Sequence, residues 1–120
     1  MSKKKIIKYK RTKYIRESER FINKSVNFIS KDDITKDEFD LFIQKIYTSF
    51  LEVEKVALYS EYFNLLESTI QKIANLTQEK LQIDEIKKVI MYEANQLRKL
   101  KRKKSFSRKR FNLDYTNETF

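Results

Sequence analysis

The sequence predicts an all-α protein, and three observations carry that expectation. Its 120 residues contain no glycine and no proline, so the usual hairpin turns and left-handed helix stops are missing and a sheet fold would lack its punctuation. Apolar residues recur at steps of three and four along most of the chain, which places them on one face of a helix. The length suits one small domain, which buries roughly two thirds of the surface its unfolded chain exposes. Three principal helices are expected, over residues 8–29, 35–76 and 83–103, as a helical bundle or an extended coiled-coil-like hairpin with flexible basic ends. A single helical domain then covers 1–104, with a basic arm at 1–8. Residues 105–120 form a flexible tail, basic as far as 110.

The first helix is marked by a heptad-spaced series, Ile7, Tyr14, Phe21 and Phe28, with a parallel row of Ile15, Ile22 and Ile29. Ser18 and Ser25 fall within that stripe, where their small side chains let another helix approach closely. Arg11, Arg16, Arg20 and Lys24 fall mostly off it, which gives a docking helix with a basic back. Aromatic residues at this spacing are better read as core than as base-stacking groups; Tyr9 is the less committed one. A polar break follows at Ser30, Lys31, Asp32 and Asp33, and Thr35 with Glu38 has the spacing of a capping box. Asp32, Asp33, Asp37, Glu38 and Asp40 could in principle hold a divalent ion. Carboxylates are nevertheless expected where a helix begins, because its free amides and dipole favour them.

Residues 35–81 form the expected spine. Phe39, Ile43, Ile46, Phe50, Val53 and Ala57 line one face, and Phe63, Leu66, Ile70 and Ile73 make a second run. The stripe changes phase between Tyr59 and Asn64. The helix is therefore either continuous, about 60 Å at 1.5 Å per residue, or bent near Ser60. Periodicity is weakest over 76–84. Ile83, Ile86, Ile90, Ala94, Leu97 and Leu100 then make the last amphipathic helix, which Val89 widens. Phe42, Ile43, Ile46, Phe50, Leu66, Ile70, Ile86 and Ile90 are expected in the core, and Phe106 and Phe111 outside it.

Several chemistries are disfavoured by composition. Without cysteine or histidine the chain has no disulfide, zinc knuckle, thiol nucleophile or imidazole base. No enzyme motif is present, and no cofactor is expected. No apolar run approaches the roughly 20 residues that span a bilayer, and the cationic start lacks the apolar block of a signal peptide. A soluble, cytoplasmic protein is the expectation.

The formal charge of +10 is unevenly distributed. Residues 1–20 carry nine cations against Glu17 and Glu19, and 98–110 carry nine cations and no acid, whereas 21–97 are mildly acidic. An AT-rich coding sequence would explain a chain rich in Lys, Ile, Asn, Phe and Tyr. It does not explain why all seven arginines, Arg11, Arg16, Arg20, Arg98, Arg102, Arg108 and Arg110, fall in the two end blocks. Arginine's planar donor fork suits phosphate and carboxylate. The leading expectation is a non-enzymatic nucleic-acid-binding protein, for DNA or RNA, working mainly through phosphate contacts without sequence preference. Its candidate residues are those seven arginines with Lys101, Lys103, Lys104 and Lys109, and Phe106 and Phe111 for stacking. Dimerisation through the Phe39 to Ala57 seam belongs to this reading as a way to set the spacing of the arms. The alternative is a helical scaffold that binds a partner protein by its apolar faces and basic ends. Contact with an anionic membrane surface is a third reading, weakened by the absence of Trp.

Overall fold

The structure, a computed structural model, describes the backbone of residues 3–116 and the side chains of 3–102. Among the described residues it is all-helical, with four helices and no strand: α1 (Lys3–Ile29), α2 (Lys36–Leu51), α3 (Glu61–Leu76) and α4 (Ile83–Thr116). The all-α expectation holds and the helix count differs by one. The expected spine is two helices separated by residues 52–60. It breaks where the phase of the stripe changes: had the helix continued, Asn64 and Glu67 would face the core. Interrupting it lets Tyr62, Leu66, Ile70, Ile73 and Leu76 turn inward instead. Ser60 supplies the restart, its side chain accepting the Phe63 amide at 3.1 Å; such a cap is worth about 1 kcal/mol. Val53 and Ala57 thus lie in the connection and do not extend the α2 seam.

The first break follows the residues singled out for it. Helix α1 stops at Ile29, and Asp33 takes the left-handed conformation at φ 62°, a role left to an Asp because the chain has no glycine. Thr35 then caps α2 through the reciprocal box, its side chain accepting the Glu38 amide at 3.1 Å while Glu38 accepts the Thr35 amide at 2.9 Å. At the outer ends the helices run past the expected limits. Helix α1 begins at Lys3, and α4 continues through Thr116 rather than stopping near Lys103. The expected exposure of Phe106 and Phe111 concerns side chains outside the described residues.

Helices α1 and α3 each pack on both of the other helices, so the hub is this pair rather than a single middle spine. On α1 the stripe turns inward from Tyr14 onward: Tyr14, Phe21, Ile22 and Ile29 are covered and Ile15 and Phe28 half-buried, whereas Ile7 is 53% exposed. Ser18 and Ser25 are also buried, and their hydroxyls donate back to the Tyr14 and Phe21 carbonyls at 2.8 and 2.9 Å. That satisfies a polar group where a larger side chain would hold the neighbouring helices apart. Helix α2 runs antiparallel to α1, with ring contacts of Tyr14 and Phe21 on Phe50 and of Phe28 on Phe42. Ile43, Leu66, Ile70, Ile86 and Ile90 are core as expected; Phe42, Ile46 and Phe50 are half-buried and pack against its edge.

Ile73 and Ile43 are both fully buried in this core. Truncating either to alanine should cost roughly 2–5 kcal/mol, while Leu41→Ala, at a position 69% exposed, should stay within about 0.5 kcal/mol of the wild type. Chemical denaturation measures both, and comparable losses at Leu41 and Ile73 would contradict the assigned core.

Candidate nucleic-acid interface

The two cationic blocks belong to different ends of the sequence, and the direction of one helix pair decides where they go. Lys101 of α4 donates to Glu19 of α1 at 2.9 Å, and Ile22 and Val26 share a cleft with Ala94 and Leu97. Moving forward along α1 therefore means moving backward along α4, so the helices are antiparallel. The start of α1 and the end of α4 leave the body at the same end.

At that end the described cations are open to solvent. Every residue from Lys3 to Lys13 is exposed, as are Arg16, Arg20, Arg98, Lys101 and Arg102. Arg20 meets Glu17 at 3.3 Å, and Arg98 donates to the Asn95 side-chain oxygen at 3.1 Å. These are surface contacts of small worth, typically about 0–1 kcal/mol, and they leave the guanidinium groups accessible. The structure thus brings Arg11, Arg16 and Arg20 to the same end as Arg98, Lys101 and Arg102. The side chains of Lys103, Lys104, Phe106, Arg108, Lys109, Arg110 and Phe111 lie outside the described residues. Tyr9, on α1, is 63% exposed.

Glu19 is the residue that the charge pattern alone did not single out. It sits between the cleft rimmed by Asn23, Arg98 and Lys101 and an open groove along α1 that holds Arg16, Arg20 and Lys24. Besides Lys101 it accepts the Tyr62 hydroxyl at 2.5 Å, and so joins α1, α3 and α4. The cleft holds about 150 Å³. Pockets for small molecules begin near roughly 300 Å³, so the shape suits part of an extended ligand lying across it.

Acids of the middle segment are engaged both across the bundle and locally. Glu54 meets Lys10 of α1 at 3.1 Å, and Lys72 pairs with Glu93 of α4 at 2.9 Å. Glu67 accepts the Tyr14 hydroxyl at 2.6 Å. Glu38 is held in the capping box and Asp40 by Lys36 at 2.8 Å. Among the described residues no three carboxylates come together as a metal site would need, and no helix is long and apolar enough to cross a membrane.

Comparison with protein-family models, with characterised proteins and with solved structures finds no match to this chain.

Tyr14 and Tyr62 have their phenol pKa raised well above the usual value, first by burial and then by hydrogen bonds to Glu67 and Glu19. Below pH 10.0, the ordinary tyrosine value, both are protonated in the folded and unfolded chain, and their stabilisation is complete. Above it the unfolded chain releases protons that the folded chain retains, so stability falls as pH rises toward the folded values. An alkaline titration followed by tyrosinate absorbance and circular dichroism should show two of the seven tyrosines ionising only as helicity is lost. The Tyr14→Phe/Tyr62→Phe double variant should lose stability less steeply above the ordinary tyrosine value of 10.0. Ionisation of all seven tyrosines before any loss of helicity would contradict this account.

Proposed function

We propose that this chain binds nucleic acid through phosphate contacts at the end where α1 and α4 present their cationic blocks. The observation that supports the reading is the antiparallel pairing of those helices, along which Glu19 and Lys101 meet. It gathers charge from both ends of the sequence onto one end of the body. Concentrating like charge opposes folding, because cations within a Debye length of roughly 8–10 Å repel one another. Glu17 and Glu19 are the acids within the N-terminal block, and the C-terminal block has none. A polyanion relieves that repulsion, and the release of its counterions supplies affinity. Helix α1, with 27 residues, is about 40 Å long at 1.5 Å per residue, enough to follow several consecutive phosphates.

The chemistry required is simple. Lys and Arg neutralise phosphate oxygens, Arg in two-point contacts, and the helical body fixes the spacing between the blocks. No catalytic step and no cofactor enters this reading. Affinity should fall steeply with salt. Replacing Arg98, Arg102, Arg108 and Arg110 by glutamine should flatten the plot of log affinity against log salt by roughly 1 for each phosphate no longer neutralised, with helicity unchanged. Fluorescence anisotropy on DNA and RNA at several salt concentrations measures this. Retention of both wild-type affinity and slope, or no binding at about 50 mM salt, would transfer the basic end to an acidic protein surface as its partner.

A further inference from the structure

The face of α1 opposite its buried row has a composition of its own. Arg16, Arg20, Asn23 and Asn27 follow one another at steps of four, three and four; all are exposed, and they line one open groove along the helix. Tyr14, Ser18, Phe21 and Ser25 are buried on the other side of the same turns, so helical geometry sends the four outward. Tyr9 extends the row two turns earlier and is also exposed. Glu19 and Lys24 line the edges of the same groove, with Glu19 already bonded to Tyr62 and Lys101, and Glu17 lies beside the row. The Arg20 contact to Glu17 is a half-exposed surface pair, and exchanging it for another partner costs little.

Solvation alone does not call for these residue types, and an AT-rich coding sequence would explain the asparagines without explaining the arginines beside them. Asparagine is among the poorer helix formers, and lysine or glutamine keeps a helix soluble at less local expense. Asn and Arg share a side-by-side set of hydrogen-bonding groups. The Asn amide donates and accepts in one plane and matches the N7 and N6 edge of adenine, and the Arg fork matches the O6 and N7 edge of guanine.

We propose that α1 enters the major groove of duplex DNA, with Arg16, Arg20, Asn23 and Asn27 reaching base edges while the cationic blocks hold the phosphates. This rests on the nucleic-acid reading above and specifies the form of its ligand. The major groove of B-DNA is about 12 Å wide and admits a helix; that of duplex RNA is too deep and narrow to be read by side chains. Over residues 16–27 α1 is packed on the bundle by one side only, and the side that carries Arg16, Arg20, Asn23 and Asn27 is exposed, so that side is the one a groove would meet. Arg98 and Lys101 stand across the cleft from Asn23. They are placed to meet the sugar-phosphate strand bordering a groove that α1 occupies, which fixes the register of the base contacts.

The test uses the full chain and a pool of randomised duplex DNA, selected by binding and sequenced. Anisotropy titrations then compare the enriched duplex, a scrambled duplex, the same sequence as duplex RNA, and the single strand. A shared motif should be enriched, and the enriched DNA should bind more tightly than the other three. Asn23→Ala/Asn27→Ala, confirmed as folded by circular dichroism, should weaken the enriched duplex on the order of ten-fold toward the scrambled value with the salt slope unchanged. Salt-dependent binding without an enriched motif would overturn the groove proposal and leave the phosphate reading standing. So would equal weakening on enriched and scrambled DNA, or RNA or single strands bound as tightly as the enriched duplex. Failure to bind any nucleic acid would overturn both.

Discussion

Two buried phenols, each bonded to a carboxylate on the other helix, fix the pair around which this molecule is assembled. Tyr14 of α1 reaches Glu67 of α3, and Tyr62 of α3 reaches Glu19 of α1, at 2.6 and 2.5 Å. A tyrosine ring stabilises by burial only if its hydroxyl finds a partner. Here the partner is a charged acceptor, which makes a stronger bond than a neutral one. The arrangement is reciprocal, so sliding or rotating α1 against α3 breaks both bonds together. Since α1 and α3 each contact α2 and α4, the geometry of this pair is passed on to the remaining helices. Glu19 carries it furthest: it takes the Tyr62 hydroxyl on one side and the Lys101 ammonium on the other, and so touches α4, which the buried Ile86, Ile90 and Leu97 hold in place.

The helical class and the strongest local signals were legible in the sequence, because they depend on near neighbours alone. The Thr35 and Glu38 box needs only three residues of separation, and the stripes on α1, α3 and α4 need only a constant helical period. The break over 52–60 was less legible. It is a competition between continuing one helix and satisfying two stripes of different phase, and the outcome depends on how much α1 can cover. Phe42, Ile46 and Phe50 show the same limit. Their periodicity is that of a core helix, yet α2 lies at the edge of the bundle, packed on α1 and α3, and these residues are only half covered.

Much the same division applies to the charged surface. That arginine is confined to the two end blocks can be read by inspection. That those blocks leave the body together cannot, because it depends on α1 and α4 being antiparallel, a relation carried by residues 82 positions apart. Counting charge by block also conceals arrangement by face. Arg16 and Arg20 stand out in the sequence as members of a basic segment, while Asn23 and Asn27, being neutral, do not. Only with the buried side of α1 fixed by Tyr14, Ser18, Phe21 and Ser25 do the four residues become one outward row.

Stability and surface chemistry pull in opposite directions at this end of the molecule. The buried hydrophobic groups fall between Tyr14 and Leu97, away from the first turns of α1, where the exposed run from Lys3 to Lys13 adds repulsion and little burial. The core must therefore hold α1 and α4 together against a field that their own ends create. The Glu19 contacts with Tyr62 and Lys101 act at the junction of the two regions, beside the cationic overhang of α1, and anchor that helix to α4. A carboxylate there lowers the repulsion between the helices where they are packed, and it does not reach the charge beyond Arg16 and Arg102. The packed body and the charged end are thus separable in composition but joined by the continuous helices α1 and α4, with the Glu19 contacts at their junction and Lys10 meeting Glu54 further out, which lets the end remain strongly cationic without requiring the core to be.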